Sequence, residues 1–276
     1  MLDKLNKNEL GSKTAKGGFR NEELITSKFN NYLNDKDAKK WLKIMGYDYK
    51  KIYKLMALQI PVRLSEKNLS KYGLDEKDYE TLIKFKKADV QVKIIIEIDG
   101  ILHIENLSLK KANETVSYNQ VDKRKLDSYQ KMWGFDDEIA QYLKLFTGEL
   151  NPKEHGFKNT KKENRIFLDE LPKKSQNKII DFFRENKIIV ISDILKGKGG
   201  LSADWMLITK QMKNGNLKYV LKDINFVMNF YGQGDVKISP RGSLYIGRIT
   251  MQRKGGTPDP TKLQFKISPN KLFEVK

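Results

Sequence analysis

The chain has 276 residues, of which 39% are hydrophobic, and its 53 Lys and Arg against 35 Asp and Glu give a net charge of +18. A surplus of that size indicates a polyanionic partner, most often nucleic acid, although ribosomal and membrane-surface proteins can be as basic. The absence of cysteine excludes a disulfide framework and cysteine-ligated zinc. No apolar run suits a membrane span or a signal peptide, so we expect a soluble, intracellular protein without a membrane partner.

The first predicted element is an amphipathic helix over residues 21–34, and a polar stretch at about 64–88 separates it from a β-hairpin. The apolar stripe of this helix consists of Leu24, Ile25, Phe29, Tyr32 and Leu33. We interpret residues 64–88 as an insertion within a single domain over residues 1–276, because the sequence contains neither an internal repeat nor a long low-complexity linker.

The hairpin at residues 89–110 is the most informative segment. Its first strand has apolar side chains at period two, which is typical of a β-strand: Val90, Val92, Ile94, Ile96 and Ile98. Asp99-Gly100 follows, a dipeptide that favours two-residue type I′ turns. Counting outward from such a turn places Gln91 opposite Ser108 and Asp89 opposite Lys110.

The second strand of the hairpin changes the side on which its apolar residues lie. Leu102 and Ile104 share one parity and Leu107 and Leu109 the other, which predicts a β-bulge between them that shifts the pairing by one residue. Either register brings a carboxylate and an ammonium together on the polar side, far from the tip. Such a pair is the core of a metal-dependent phosphodiesterase site. The alternative is an edge hairpin with a surface ion pair, because the pattern alone is weak.

Helices and then further strands follow the hairpin. Residues 120–148 predict two helices hinged near Gly134, and Ser175–Glu185 predicts another that begins at a serine N-cap. Strands are predicted over Lys187–Ser192, Ala203–Thr209, Lys218–Leu221, Leu244–Gln252 and Lys262–Ile267. Trp205 is expected to pack in the core. Helices before and after a central hairpin, with later strands, predict an α/β or α+β sheet flanked by helices.

Five segments resemble the type II restriction endonucleases, in the same order along nearly the whole chain. They are E-L-G-S-K-T-A-K-G-G-F-R-N-E (Glu9–Glu22), M-W-G-F-D-D (Met132–Asp137), F-T-G-E-L (Phe146–Leu150), D-I-L-K-G-K-G-G (Asp193–Gly200) and Q-R-K-G-G (Gln252–Gly256). The resemblance is to the small Hin-type enzymes that cut GCGC, relatives of MspI within the PD-(D/E)XK nucleases. It implies a PD-(D/E)XK-like mixed central sheet flanked by helices, with DNA-recognition elements on the C-terminal strands at 236–276.

The resemblance assigns catalytic roles to the ends of the hairpin. Asp89 aligns with the family's first catalytic aspartate, which binds Mg²⁺. Lys110 aligns with the lysine that positions or deprotonates the attacking water and stabilises the phosphorane charge. Ser108 stands where the general motif has Asp or Glu and this branch has Gln. Because a serine hydroxyl is a short, neutral ligand, the metal would depend more on Asp89, the Leu109 carbonyl, the scissile phosphate and water.

Glu22 is the candidate for a further catalytic and metal-binding carboxylate, since the F-R-N-E match places a glutamate at the start of the first helix. Alternatively, Glu22 only favours the helix dipole. Glu97 and Glu105 are weaker candidates close to the hairpin tip, and His103 and His155 lack metal-ligand spacing. The expected cofactor is Mg²⁺. We expect Mn²⁺ to substitute for it and Ca²⁺ to bind without supporting cleavage.

DNA recognition is expected from the segment after Lys110, from Ser239–Arg248 and from the Q-R-K-G-G segment. Gln252 and Arg253 are the candidate base readers, because arginine pairs bidentately with guanine and glutamine with adenine. Lysines more often hold phosphates, and for any single cation a solvated surface charge is the alternative. The candidate DNA-binding residues are Tyr118, Asn119, Gln120, Lys123, Arg241, Arg248, Gln252, Arg253, Lys254, Gln264 and Lys266.

The resemblance and the charge together imply a Mg²⁺-dependent endonuclease of a restriction–modification system, which cuts double-stranded DNA in the bacterial cytoplasm. Its expected target is short and GC-rich, GCGC or a GC-flanked variant such as GCWGC, cut to leave a 5′ overhang. A cognate DNA methyltransferase is the expected genetic partner. The resemblance is compatible with a homodimer or a monomer on DNA. The alternatives are a catalytically weakened DNA-binding protein on the same fold, which Ser108 motivates, and a basic RNA-binding protein, for which no RNP, KH or repeat signature is found.

Overall fold

The computed structural model describes residues 7–61, 69–72, 90–112, 118–212, 214–253 and 261–275 (residues 7–17, 71 and 90 as backbone only). The described residues form two compact units. Unit 1 draws on Met1–Ser117, Lys196–Val227 and Ser268–Lys276, and unit 2 on Tyr118–Leu195 and Met228–Ile267. The single domain expected from the sequence stays a prediction. No described helix is both long and apolar enough to cross a membrane.

The elements follow one another as a mixture of helices and strands. In chain order they are α1 (Lys7–Asn30), α2 (Lys36–Ile44), β1 (Lys54–Gln59), β2 (Val90–Ile98), β3 (Ile101–Lys111), β4 (Asn119–Lys125), α3 (Leu126–Trp133), α4 (Asp137–Thr147), α5 (Lys173–Glu185), α6 (Lys187–Leu195), β5 (Trp205–Gln211), β6 (Leu217–Asp223), α7 (Ile224–Gly232), β7 (Val236–Ile238), β8 (Leu244–Ile246), β9 (Ile249–Arg253) and β10 (Lys262–Ile267). Short 3₁₀ turns lie at Ser70–Tyr72, Pro152–His155, Leu168–Glu170, Gly199–Leu201 and Pro269–Glu274.

The sheet of unit 1 has the strand order β1-β2-β3-β5-β6. Its central strand, β3, pairs antiparallel with β2 and parallel with β5, so the sheet is mixed. One face is covered by α1 and α2, whose Ile25, Phe29 and Trp41 form a core with Leu107 and other side chains of the strands. Burial of each such side chain contributes about 1.5–3 kcal/mol. The mixed sheet with flanking helices confirms the predicted fold class.

The hairpin turn is confirmed, but its bulge is not where the sequence predicts it. Ile98 pairs with Ile101, and Asp99 and Gly100 have φ values of 51° and 76°. The ladder is regular as far as Val92 opposite Leu107, and the shift falls between Val90 and Val92 on the first strand. The predicted one-residue shift is confirmed, but its predicted position in the second strand was wrong. Leu102 and Ile104 are exposed, so they do not mark the buried face.

The first helix is longer than predicted and ends earlier. It runs from Lys7 to Asn30, so Glu22 lies inside it and not at its start. Leu24 and Leu33 are exposed, and the buried stripe consists of Ile25, Phe29 and Tyr32. The helix end is held by Asn30, whose side-chain amide exchanges hydrogen bonds of 3.0 and 2.8 Å with the main chain of Ala57 in β1.

Unit 2 contains an antiparallel sheet of order β4-β10-β9-β8-β7. The predicted hinge is confirmed at Gly134, which ends α3 with a φ of 72°. The segment 119–125 is a strand, although the sequence predicted that the helix begins at 120. Residues 244–252 form β8 and β9 instead of one strand, because the chain turns at Gly247 with a φ of 59°. The core of this unit includes Trp133, stacked on Tyr129.

Two further boundaries in unit 2 differ from the predictions. Residues 187–195 form α6 and not a strand, since buried residues recur with helical spacing at Val190, Ile191 and Ile194 while Ile188 is 87% exposed. The β-branched run favours a strand locally, but packing decides the outcome. The preceding helix, α5, begins at Lys173 directly after Pro172, not at Ser175.

Candidate active site

The candidate catalytic segment lies towards the end of β3, in the middle of the unit 1 sheet. Leu107 and Leu109 belong to the core beneath α1, and Ser108 and Lys110 alternate to the opposite face of the strand. Ser108 is 1% exposed and Lys110 is 6% exposed. Across the parallel ladder Lys110 pairs with Ile208 of β5. The central strand therefore holds a hydroxyl and an amine side by side in a buried setting.

The Ser108 hydroxyl is buried without a hydrogen-bond partner among the described residues. Leaving a buried hydroxyl unsatisfied costs about 1–3 kcal/mol, so this oxygen is suited to receive a ligand. Its main chain pairs with Val90, one residue from the Gln91 partner that the count without a bulge gives. The change follows from the bulge at Gln91, which shifts all pairs beyond it by one residue.

Glu22 approaches this segment from α1. The Gln59 side-chain amide donates a hydrogen bond of 2.8 Å to Glu22 Oε2. Burial raises the pKa of Glu22 above its ordinary value, and the Gln59 hydrogen bond and the Lys110 charge oppose that rise. The structure therefore brings Glu22 and Lys110 close enough for their charges to interact. It also shows that the helix-dipole interpretation fails, because Glu22 lies far from the first turn.

Two side chains of unit 1 carry oxygen atoms of the kind that divalent cations bind. Hard cations such as Mg²⁺ take oxygen ligands, and the half-buried Glu22 carboxylate and the unpartnered Ser108 Oγ are oxygens of that kind. Within the part of the chain that the structure describes, no group of three or more His, Asp or Glu side chains could hold a metal ion. Asp89 lies outside the described residues, so its predicted role stays a prediction.

The weaker carboxylate candidate Glu105 has structural partners. Its two oxygens accept hydrogen bonds from Tyr47 Oη at 2.5 Å and from Trp205 Nε1 at 2.8 Å. Burial and the Glu105 contact raise the pKa of the Tyr47 hydroxyl. Trp205 also packs against the core, as expected. His103 lies edge-on to Tyr47 with ring centroids 5.5 Å apart, which is a packing contact.

Most candidate DNA-binding residues lie on the unit 2 sheet, and several share one face of it. Lys123 pairs with Gln264, which pairs in turn with Gln252, while Lys266 pairs with both Gln120 and Thr250. Residues opposite each other in antiparallel strands project from the same face, so these side chains form one polar surface. We call Gln120, Lys123, Gln252, Gln264 and Lys266 the polar strip. Gln264 is the most buried member of the polar strip. Its side-chain amide donates a hydrogen bond of 3.0 Å to the Arg253 carbonyl.

The predicted base readers Gln252 and Arg253 project from opposite faces of β9, because they are neighbours in a strand. Arg253 Nε is buried with no hydrogen-bond partner among the described atoms. The positive charge of Arg253 also acts on Arg165, which was not a candidate in the sequence analysis. Burial first, and the Arg253 charge second, lower the pKa of Arg165. The Arg165 guanidinium stacks on the Phe167 ring at 4.3 Å.

The other candidates in unit 2 are found on its strands and turns. Tyr118 is exposed, and Asn119 begins β4. Arg241 is exposed in the turn between β7 and β8. Arg248 stacks on Phe230 at 4.1 Å, and the main-chain amide of Arg248 donates to the Tyr231 carbonyl. Lys254 lies outside the described residues.

Two glutamines of unit 1 were missed by the sequence interpretation. Gln59 ends β1, a strand that was not predicted because K-L-M-A-L-Q lacks the β-branched and aromatic residues typical of strands. Gln91 alternates with the apolar residues of β2, as an ordinary surface-facing strand residue would. The sequence pattern does not show that Gln91 forms a bulge. The side chain of Gln91 accepts a hydrogen bond of 2.6 Å from the Leu109 amide.

A model of the R.HinP1I restriction endonuclease family matches residues 79–273, which is more than half of the chain. The chain belongs to this family. It is accordingly a type II restriction deoxyribonuclease. The match includes Ser108, Lys110 and the polar strip, while Glu22 and Gln59 precede it.

The fold is also that of a solved restriction endonuclease. The crystal structure of MspI in complex with its cognate DNA matches with a TM-score of 0.60, over 96% of this chain and 94% of that chain. At 12% sequence identity, this likeness concerns the fold alone. No curated protein sequence matches the chain significantly.

Proposed function

We propose that this restriction endonuclease is Mg²⁺-dependent and cuts both strands of DNA at a short GC-rich sequence, GCGC or a GC-flanked variant such as GCWGC. The observation that carries the proposal is the buried pair of Ser108 and Lys110 on the central strand, with Glu22 under the influence of the Lys110 charge. Phosphodiester hydrolysis needs oxygen ligands for a cation and a positive group beside the reacting phosphate. This segment offers both kinds of group.

Four residues would hold the metal: Asp89, Glu22, Ser108 through its hydroxyl and Leu109 through its carbonyl. When bound, Mg²⁺ neutralises the nonbridging phosphate oxygens and acidifies a water molecule. Lys110 would donate hydrogen bonds to the attacking water and to the oxygens on which negative charge develops. Because Lys110 is buried, its interaction with that charge is weakly screened.

The proposed partner is double-stranded DNA. The net charge of +18 favours a polyanion, and the polar strip presents cations and amides from neighbouring strands. Sheets can enter a DNA groove and read base edges with such side chains. In this proposal Gln252 reads bases, and Lys123 and Lys266 hold phosphates. Arg253 projects from the opposite face of β9 and is not part of this DNA-facing surface. The MspI structure contains cognate DNA, which supports the same partner class.

We further propose that a cognate DNA methyltransferase protects the host, and that the enzyme binds its site as a homodimer or a monomer. The test is a digest of unmethylated phage DNA in MgCl₂ followed by sequencing of the fragment ends. The proposal predicts discrete fragments that all end in one short GC-rich motif with a 5′ overhang, and no cleavage with EDTA or Ca²⁺. Random ends, or ends at an AT-rich motif, would contradict it. Intact DNA that is still bound would favour the weakened DNA-binding protein.

A further inference from the structure

Gln91 forms the bulge of β2, next to the candidate catalytic segment. On one side of it Val90 pairs with Ser108, and on the other side Val92 pairs with Leu107, so Gln91 is the extra residue of its strand. Its side chain is polar, yet the residue is only 9% exposed. A β-bulge often re-aims side chains beside an active site.

The main chain and the side chain of Gln91 accept hydrogen bonds from two different strand segments. Its carbonyl accepts from the Ile60 amide at 2.7 Å, immediately after β1. Its side-chain Oε1 accepts from the Leu109 amide of β3 at 2.6 Å. A buried main-chain amide needs an acceptor, and here a side chain supplies the one that a main-chain carbonyl supplies elsewhere in a ladder.

This contact fixes one peptide group of β3. The Leu109 amide belongs to the peptide plane that joins Ser108 to Leu109, so anchoring its hydrogen bond restrains the Cα atoms of both residues. The Cα atom of Ser108 determines the direction of the Ser108 hydroxyl. The Cα atom of Leu109 determines the direction of the chain towards the Leu109 carbonyl and Lys110. A single hydrogen bond thus bears on three groups of the proposed site.

We propose that Gln91 is a positioning residue, whose side-chain carbonyl holds the Ser108–Lys110 segment in the orientation that binds the divalent cation. The inference rests on the proposed Mg²⁺-dependent function and adds a residue that acts through the Leu109 amide. Gln91 itself would touch neither metal nor DNA. Outer partners of this kind typically change metal affinity or activity about 10–100-fold when they are removed.

Variants of Gln91 separate this role from a purely structural one. Gln91→Met keeps the length of the side chain but removes the acceptor, and Gln91→Asn keeps the amide but is too short to reach Leu109. Both are expected to weaken Mg²⁺ binding about 10–100-fold. The measurements are the dissociation constant of Mg²⁺ in a calorimetric titration of the protein and the half-saturating Mg²⁺ concentration for single-turnover DNA cleavage. Gln91→Glu retains an acceptor of the same length and is expected to restore a value close to that of the unmodified enzyme.

The matched control is Gln176→Met, because Gln176 is another buried glutamine that bonds to main chain, through Nε2 to the Leu171 carbonyl at 2.7 Å. It is expected to lower thermal stability without changing the Mg²⁺ dependence. If Gln91→Met does not fold, Gln91→Asn carries the test. A folded Gln91→Met or Gln91→Asn with an unchanged half-saturating Mg²⁺ concentration would overturn the positioning role alone. An unmodified enzyme that does not cleave in Mg²⁺ would overturn the proposed function as well.

Discussion

Gln59 at the end of β1 donates a hydrogen bond of 2.8 Å to Glu22 in the interior of α1. The next residue, Ile60, donates from its main chain to Gln91, which accepts from Leu109. These contacts connect the helix that carries the carboxylate to the strand that carries Ser108 and Lys110. The end of β1, which was not predicted from the sequence, thus contacts both the helix that carries Glu22 and the bulge residue Gln91.

The first prediction concerns pH. Burial raises the pKa of Glu22, so this carboxyl keeps its proton to a higher pH than an ordinary glutamate. Because only the ionised form would bind a metal, cleavage should fall as pH decreases through that raised pKa. Gln59→Leu removes a hydrogen bond that stabilises the ionised form. The acid limb of its pH–rate profile should therefore move to higher pH, and an unmoved limb would exclude Glu22 from the site.

The second prediction concerns the unpartnered hydroxyl of Ser108. Ser108→Ala removes a buried polar atom that has no partner among the described residues, so the metal-free protein should gain about 1 kcal/mol in free energy of unfolding. If the hydroxyl is a ligand, the same variant should need more Mg²⁺ for half-maximal cleavage. Urea unfolding and a Mg²⁺ titration measure the two effects. Higher stability with an unchanged Mg²⁺ requirement would show that Ser108 is not a ligand.

The third prediction separates phosphate contacts from base contacts within the polar strip. Lys266→Ala should weaken binding to all DNA sequences and reduce the slope of log K against log salt concentration by about 1. Gln252→Ala should leave that slope unchanged and reduce discrimination between cognate and altered sites by about 1–3 kcal/mol. Fluorescence anisotropy over a salt series, with cognate and single-substituted duplexes, measures both quantities. Equal effects of the two variants on the slope would contradict these assignments.

The sequence reveals those parts of the fold that short-range chemistry determines. Asp99-Gly100 predicted the hairpin turn, and Gly134 predicted the break between α3 and α4, because each needs a positive φ that few other residues adopt. Long-range packing determined what was missed. In α6 burial overrode the β-propensity of an isoleucine-rich run, and the exposed Leu102 and Ile104 imitated a core face.

The residues of the candidate site also divide into those that local sequence patterns predict and those that depend on long-range contacts. Ser108 and Lys110 could be predicted from the sequence because both lie in a recognisable strand pattern and in a segment that aligns with the family's catalytic motif. The long helix around Glu22, and the supporting role of Gln59, depend on contacts between residues 37 positions apart in the sequence. The bulge at Gln91 depends on how three strands meet, which no local pattern records.

The most direct test of the account is the activity of Lys110→Ala beside that of Lys54→Ala, which removes an exposed lysine from the same sheet. Both proteins should bind the cognate duplex in Ca²⁺ with similar affinity. In Mg²⁺, Lys110→Ala should lose at least about a hundredfold in single-turnover cleavage, because it lacks the buried cation beside the phosphate, and Lys54→Ala should cleave normally. Equal cleavage by the two variants would contradict the assignment of the active site to the end of β3.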